Sequence, residues 1–149
     1  MKELKVSDKA GKVRRASDDV VREALGTLVP GGRTTHRIGG HTDWYHGAAV
    51  SPDGSRLITA NRDGTARLWD IASGQCLMVF RGHTGEVVRA AFMNHADRAV
   101  TTDDDGTLRL WDCATGACIL VLKGHHGRVA GLAVSPDDRY IASSDSFWA

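Results

Sequence analysis

Asp63 to Asp70 reads DGTARLWD and Asp105 to Asp112 reads DGTLRLWD, two stretches that differ only at Ala66 against Leu108. Their starts lie 42 residues apart, and the dipeptide Gly-His keeps that interval at Gly40-His41, Gly82-His83 and Gly124-His125. The turns SPDG (Ser51 to Gly54) and SPDD (Ser135 to Asp138) are separated by two such intervals. A fixed period of this length marks a structural unit that buries its faces against copies of itself. The fold therefore follows from what one period becomes.

Inside a period, short apolar runs alternate with turn signals. Ala48 to Val50 precede SPDG, Leu57 to Thr59 precede the Arg62-Asp63-Gly64 turn, Ala66 to Trp69 precede Ala72-Ser73-Gly74, and Cys76 to Phe80 precede the next Gly-His. Runs this short, bounded by Gly, Asp and Ser, read as four strands rather than helices. Asp63-Gly64 and Asp105-Gly106 suit tight hairpins, because glycine accepts a positive φ that a side chain resists.

A four-stranded period with Gly-His near its start and Trp-Asp at the end of its third strand resembles the WD-repeat β-propeller family, over about residues 34 to 149. The resemblance implies an all-β chain: a partial β-propeller of four-stranded antiparallel blades. In that family the repeat is offset from the blade, so Thr34 to Ile38 would be an outer strand of a preceding blade. Blade one then spans 44–80, blade two 86–122, and an incomplete blade 128–149: two complete blades, with partial ones at each end.

The resemblance also implies a buried tetrad in each blade, formed by the Gly-His histidine, a second-strand hydroxyl, the turn Asp and the third-strand Trp. The matching sets are His41, Thr59, Asp63 and Trp69, then His83, Thr101, Asp105 and Trp111. The third blade supplies His125 and Ser143. Such a network satisfies polar groups that burial would otherwise leave unpaired. His and Asp side by side look like an acid/base pair, but they recur with the unit, as a structural device does.

Ligands in that family meet the face around the central channel, through residues three and five after the histidine and the residue before the turn Asp. Here those are Trp44, His46 and Arg62, then Glu86, Val88 and Asp104, then Arg128, Ala130 and Ser146. Within a regular array these positions vary in charge and size, which recognition requires. Trp44 with Arg62 has the aromatic and guanidinium character of binding hot spots. The structural alternatives stay open: Trp44 and Tyr45 as aromatics packed on a neighbouring blade, Arg128 as a surface ion-pair partner of Glu86, and the run Asp103-Asp104-Asp105 as a solvated hairpin tip.

Residues 1–33 carry no clear blade, and two readings stand. One is a basic lead followed by a short N-terminal helix, capped by Ser17-Asp18-Asp19 and ended by Pro30-Gly31-Gly32. The other is that Glu3 to Arg15 is a degenerate copy of Arg56 to Leu68, with the helical stretch inserted after it.

Composition narrows the function. The 149 residues carry 19 Lys and Arg against 18 Asp and Glu, a net charge of +1, which provides no broad field for nucleic acid or an anionic membrane. Nucleic-acid binding through Lys2, Lys5, Lys9, Lys12, Arg14 and Arg15 would be steeply salt-dependent. No apolar run reaches the roughly 18–20 residues of a membrane span, and the first residues lack the apolar core of a signal peptide. The expected compartment is the cytoplasm.

Cys76, Cys113 and Cys118 form no CxxC, and neither a metal-ligand spacing, a phosphate-cradling loop nor a nucleophile motif occurs. No catalytic residue, metal or cofactor is expected. The reading is a non-catalytic scaffold for a protein or peptide partner, with self-association through exposed blade edges as a further option. The alternative is a sensor segment of a larger signalling enzyme, with a kinase, nucleotide hydrolase or protease upstream. Propellers of this type close with about 4–8 blades and 149 residues hold only about 3.5 periods. A fragment of a larger propeller, a self-assembling ring segment and a decayed reading frame are the expectations that follow.

Overall fold

A computed structural model describes residues 4–7, 13–16, 40–95 and 97–146. All regular structure among them is β. Blade one consists of β3 (Tyr45–Val50), β4 (Arg56–Asn61), β5 (Ala66–Asp70) and β6 (Cys76–Phe80), paired in that order. Blade two repeats it with β7 (Val87–Phe92), β8 (Arg98–Asp103), β9 (Thr107–Asp112) and β10 (Cys118–Lys123). β11 (Val129–Val134) and β12 (Ile141–Asp145) begin a third blade. All pairs are antiparallel, and the registers repeat: Leu57 faces Trp69 as Ala99 faces Trp111.

At the N-terminus, β1 (Leu4–Ser7) pairs with β2 (Val13–Ala16). Leu4 faces Ala16. This is the register of Leu57 on Trp69 when Glu3 to Arg15 is laid on Arg56 to Leu68. The helix expected between Ser17 and Pro30 lies outside the described residues, as does the outer strand expected at Thr34 to Ile38.

Each blade stacks on the next through its inner and middle strands. β4 and β8 are buried on both faces, which explains their continuous small and apolar sequences. Between blades one and two lies a core of Ile58, Ala60, Ala66, Leu68, Phe80, Val87, Phe92, Ala99 and Trp111. The Phe80 ring lies 5.2 Å from the Trp111 ring. Between blades two and three the core is smaller: Val100, Leu108 and Val129, flanked by Leu110, Leu132, Val134 and Ile141.

Charged and polar contacts tie the opposite ends of the blades. Arg56 of blade one reaches Asp97 of blade two at 2.7 Å. Asp138 sits at φ 59° where the matching residue of blade one is Gly54 (φ 73°). Its carboxylate accepts the backbone N–H groups of Asn94 and His95, both at 2.6 Å. The strained left-handed backbone is thus offset by two charge-assisted bonds across the blade boundary.

Every inner strand carries a bulge at the same place, between Tyr45 and Gly47, between Val87 and Arg89, and between Val129 and Gly131. The extra residues are His46, Val88 and Ala130. A bulge re-aims its side chain, and these lie beside the loops that bear the histidines and the turn carboxylates.

Candidate binding face

The buried networks hold this face in place. In blade one, Trp69 Nε1 donates to Thr59 Oγ1 at 2.9 Å, and that hydroxyl lies 2.8 Å from His41 Nε2. His41 Nδ1 lies 3.0 Å from Asp63 Oδ2. A carboxylate only accepts, so Nδ1 carries the proton and Nε2 accepts from the Thr59 hydroxyl. Burial lowers the His41 pKa, with Arg67 acting the same way and Asp63 opposing. The imidazole is therefore neutral in the fold at neutral pH. The glycine before it has a physical reason as well: Gly40 and Gly82 sit at φ 138° and 142°, a backbone that residues with a side chain rarely adopt.

Blade two corrects the expected tetrad. Trp111 Nε1 donates to Thr101 Oγ1 at 2.7 Å, and His83 Nε2 lies 2.6 Å from that hydroxyl. His83 Nδ1, however, pairs with Asp103 Oδ2 at 2.7 Å, not with Asp105. Asp105 instead accepts from the Thr84 hydroxyl at 2.7 Å. Asp103 is 0% exposed, so it is not part of a solvated tip, and an unpaired carboxylate there would carry a heavy desolvation cost.

The imidazole, the Thr107 N–H and the Thr107 hydroxyl all converge on Asp103. Burial raises its pKa, but these hydrogen bonds outweigh burial and hold it below the ordinary carboxylate value. In blade one the same place is taken by the neutral Asn61, which bonds Asp43 O and the Asp63 N–H, leaving the histidine to Asp63. Blade three follows blade two: His125 Nδ1 lies 3.3 Å from Asp145, at the Asp103 position, and Nε2 lies 2.8 Å from Ser143 Oγ. The sequence signal was the acid at position 103 and, one period on, at 145; blade three has Phe147 where blade two has the turn Asp105.

Above these networks, four of the nine candidate binding residues meet: His46, Arg62, Glu86 and Arg128. Glu86 Oε1 accepts Arg62 Nε at 2.5 Å, while Oε2 lies 3.0 Å from His46 Nε2 and 3.5 Å from Arg128 Nη1. Three blades thus converge on one carboxylate. Burial raises the Glu86 pKa, but the hydrogen bonds from His46 and Arg62 prevail and lower it. Asp104 supports the cluster from below: its Oδ1 accepts the Glu86 N–H at 2.7 Å. Trp44 is 44% exposed and its carbonyl accepts the Arg62 N–H at 2.8 Å.

Val88 does not belong to this surface. It is 1% exposed, although it sits at the bulge of β7 as His46 sits at the bulge of β3. Tyr45 lies edge-on to His41 with ring centres 4.9 Å apart. The three cysteines are unpaired, and burial, foremost, pushes the Cys113 thiol up to about 12. Such a thiol is inert near neutral pH. Among the described residues no group of three or more His, Cys, Asp or Glu side chains is arranged to hold a metal, and no helix is long and apolar enough to cross a membrane.

A family model described as "WD domain, G-beta repeat" matches residues 32–70, 74–112 and 116–147. Similar curated proteins include periodic tryptophan protein 2 of Saccharomyces cerevisiae, 54% identical over 41 residues, or 28% of this chain and 4% of that protein. WD repeat-containing protein 86 of Homo sapiens is 42% identical over 52 residues, 35% of this chain and 14% of its own length. THO complex subunit 6 of Arabidopsis thaliana is 32% identical over 76 residues, 51% of this chain and 20% of that subunit. The chain spans a fifth or less of these relatives.

Proposed function

This chain belongs to the WD-repeat family, and from that premise we propose that it is a non-catalytic scaffold that presents the face around Trp44, Arg62, Glu86 and Arg128 to a protein partner. One observation carries the reading: side chains from three successive blades converge at Glu86, beside an exposed indole, at positions that differ from repeat to repeat. Repeating residues build the blade, while these non-repeating ones share one surface. Stiff strands beneath varied loop residues are the usual division of labour in a recognition module. A reducing compartment such as the cytoplasm forms part of the proposal, supported by three unpaired cysteines.

The test places a photoreactive benzoylphenylalanine at position 44 and, as a control, at the exposed Leu77 on the outer strand β6. Crosslinked protein products should form from position 44, disappear when Arg62→Ala is added, and be absent from position 77. Equal products at both positions, or products from position 77 alone, would remove the binding role from this face.

A further inference from the structure

We propose that the Glu86 cluster selects an acidic partner segment, one that presents a carboxylate next to an apolar residue. The inference rests on the reading of this face as the recognition surface and adds what the partner must look like. Two guanidinium groups share the Glu86 carboxylate, and Asp104 beneath it brings the group to formal balance, so the preference rests on unused guanidinium donors rather than on net charge. Each arginine touches Glu86 through one nitrogen, Arg62 by Nε and Arg128 by Nη1. A guanidinium carries five N–H donors in a planar fork, and most of these donors are left over. Both side chains are well exposed, at 53% and 39%.

The geometry also keeps the donors in position. Glu86 is anchored through its N–H on Asp104, and its carbonyl accepts the Asp104 N–H at 3.1 Å. It therefore acts as a fixed post that restrains both arginines, lowering the entropy that binding would otherwise cost. Bidentate pairing with a carboxylate is what an oriented guanidinium does best. Trp44 borders Arg62 through the backbone bond between them, and its exposed indole provides area for the apolar neighbour. The competing outcome is a basic segment, attracted by Asp104 and Asp105 at the neighbouring turn. Those carboxylates, however, already accept the Glu86 N–H and the Thr84 hydroxyl.

Two fluorescein-labelled peptides test the choice, one with a Glu-Phe-Glu centre and one with Lys-Phe-Lys, titrated into the full chain by anisotropy. The indole N–H resonance of Trp44, identified by its loss in Trp44→Phe, reports whether binding occurs here. The acidic peptide should bind more tightly, move that resonance, and weaken about fivefold or more in Arg62→Ala and Arg128→Ala. Arg62→Lys should not restore it, since a lysine lacks the fork. Tighter binding of the lysine peptide with movement of Trp44 would overturn the acidic preference and leave the recognition face intact. If neither peptide moves Trp44, the inference also falls, and the position-44 crosslinks alone then decide whether the face binds protein. Thermal melts of the arginine variants, expected to match the parent chain, separate lost contacts from lost folding.

Discussion

Phe80 at the end of β6 and Leu122 near the end of β10 hold the same place in successive blades, one 0% exposed and the other 39%. The strands are similar in character, CLMVF against CILVLK, so their own sequences do not decide the outcome. Phe80 is covered because blade two lays Trp111 against it. Leu122 has no such cover: the described strands of blade three are β11 and β12, and neither carries a tryptophan. Burial of an outer strand is thus a property of the following blade, as nearest-neighbour stacking of repeats requires. Phe80→Ala should accordingly cost about 3–5 kcal/mol, and Leu122→Ala less than about 1 kcal/mol in the same chain. Urea melts of the two variants check this, and equal costs would break the comparison.

A second contrast between the blades concerns which acid carries the histidine. Replacing Asp103 by Ala strands the His83 and Thr107 donors in a buried site and should cost about 1–3 kcal/mol. Asp105→Ala removes only an exposed contact to Thr84 and should stay within about 0.5 kcal/mol. In blade one the order reverses, since Asp63 is the residue that holds His41. Denaturant midpoints of Asp63→Ala, Asp103→Ala and Asp105→Ala sharpen the contrast. A larger loss for Asp105→Ala than for Asp103→Ala would return the histidine to the turn acid.

The strand count was legible because it follows from the 42-residue period and from turn residues whose backbone needs are local. The resemblance to the WD-repeat family also implied His41, Thr59, Asp63 and Trp69, which form one hydrogen-bonded chain. Asp103 was not legible from alignment with blade one. The matching residue there is Asn61, and within the run of three aspartates the signal is only the Asp145 that matches Asp103 in blade three, with burial then showing that Asp103 must be paired. Val88 was missed for a related reason. Position in the repeat places it at the bulge, but whether a bulged side chain turns outward depends on its polarity and on what the next blade offers. The convergence on Glu86 crosses blade boundaries, so no single period contains it.

The two histidines, alike in both blades, yield the smallest and most general expectation. Burial, with help from Arg67 and Arg109, lowers the pKa of His41 and of His83 below 6.5, despite Asp63 and Asp103 acting the other way. The unfolded chain keeps the ordinary value, so below about pH 6.5 it binds protons that the folded chain refuses. Stability contributed by these neutral imidazoles is therefore complete above that pH and declines as the pH falls toward the lowered folded values. Asp63 and Asp103, also lowered, begin to add their own loss only below about 3.8. Thermal melts between pH 7.5 and 5 isolate the histidine contribution, and His83→Asn should flatten part of the slope. A stability that rose on acidification through this window would mean that His83 and Asp103 form a charged pair. The tetrads would then be ionic clamps rather than neutral hydrogen-bond chains, and the contrast between Asn61 and Asp103 would become one of charge instead of geometry.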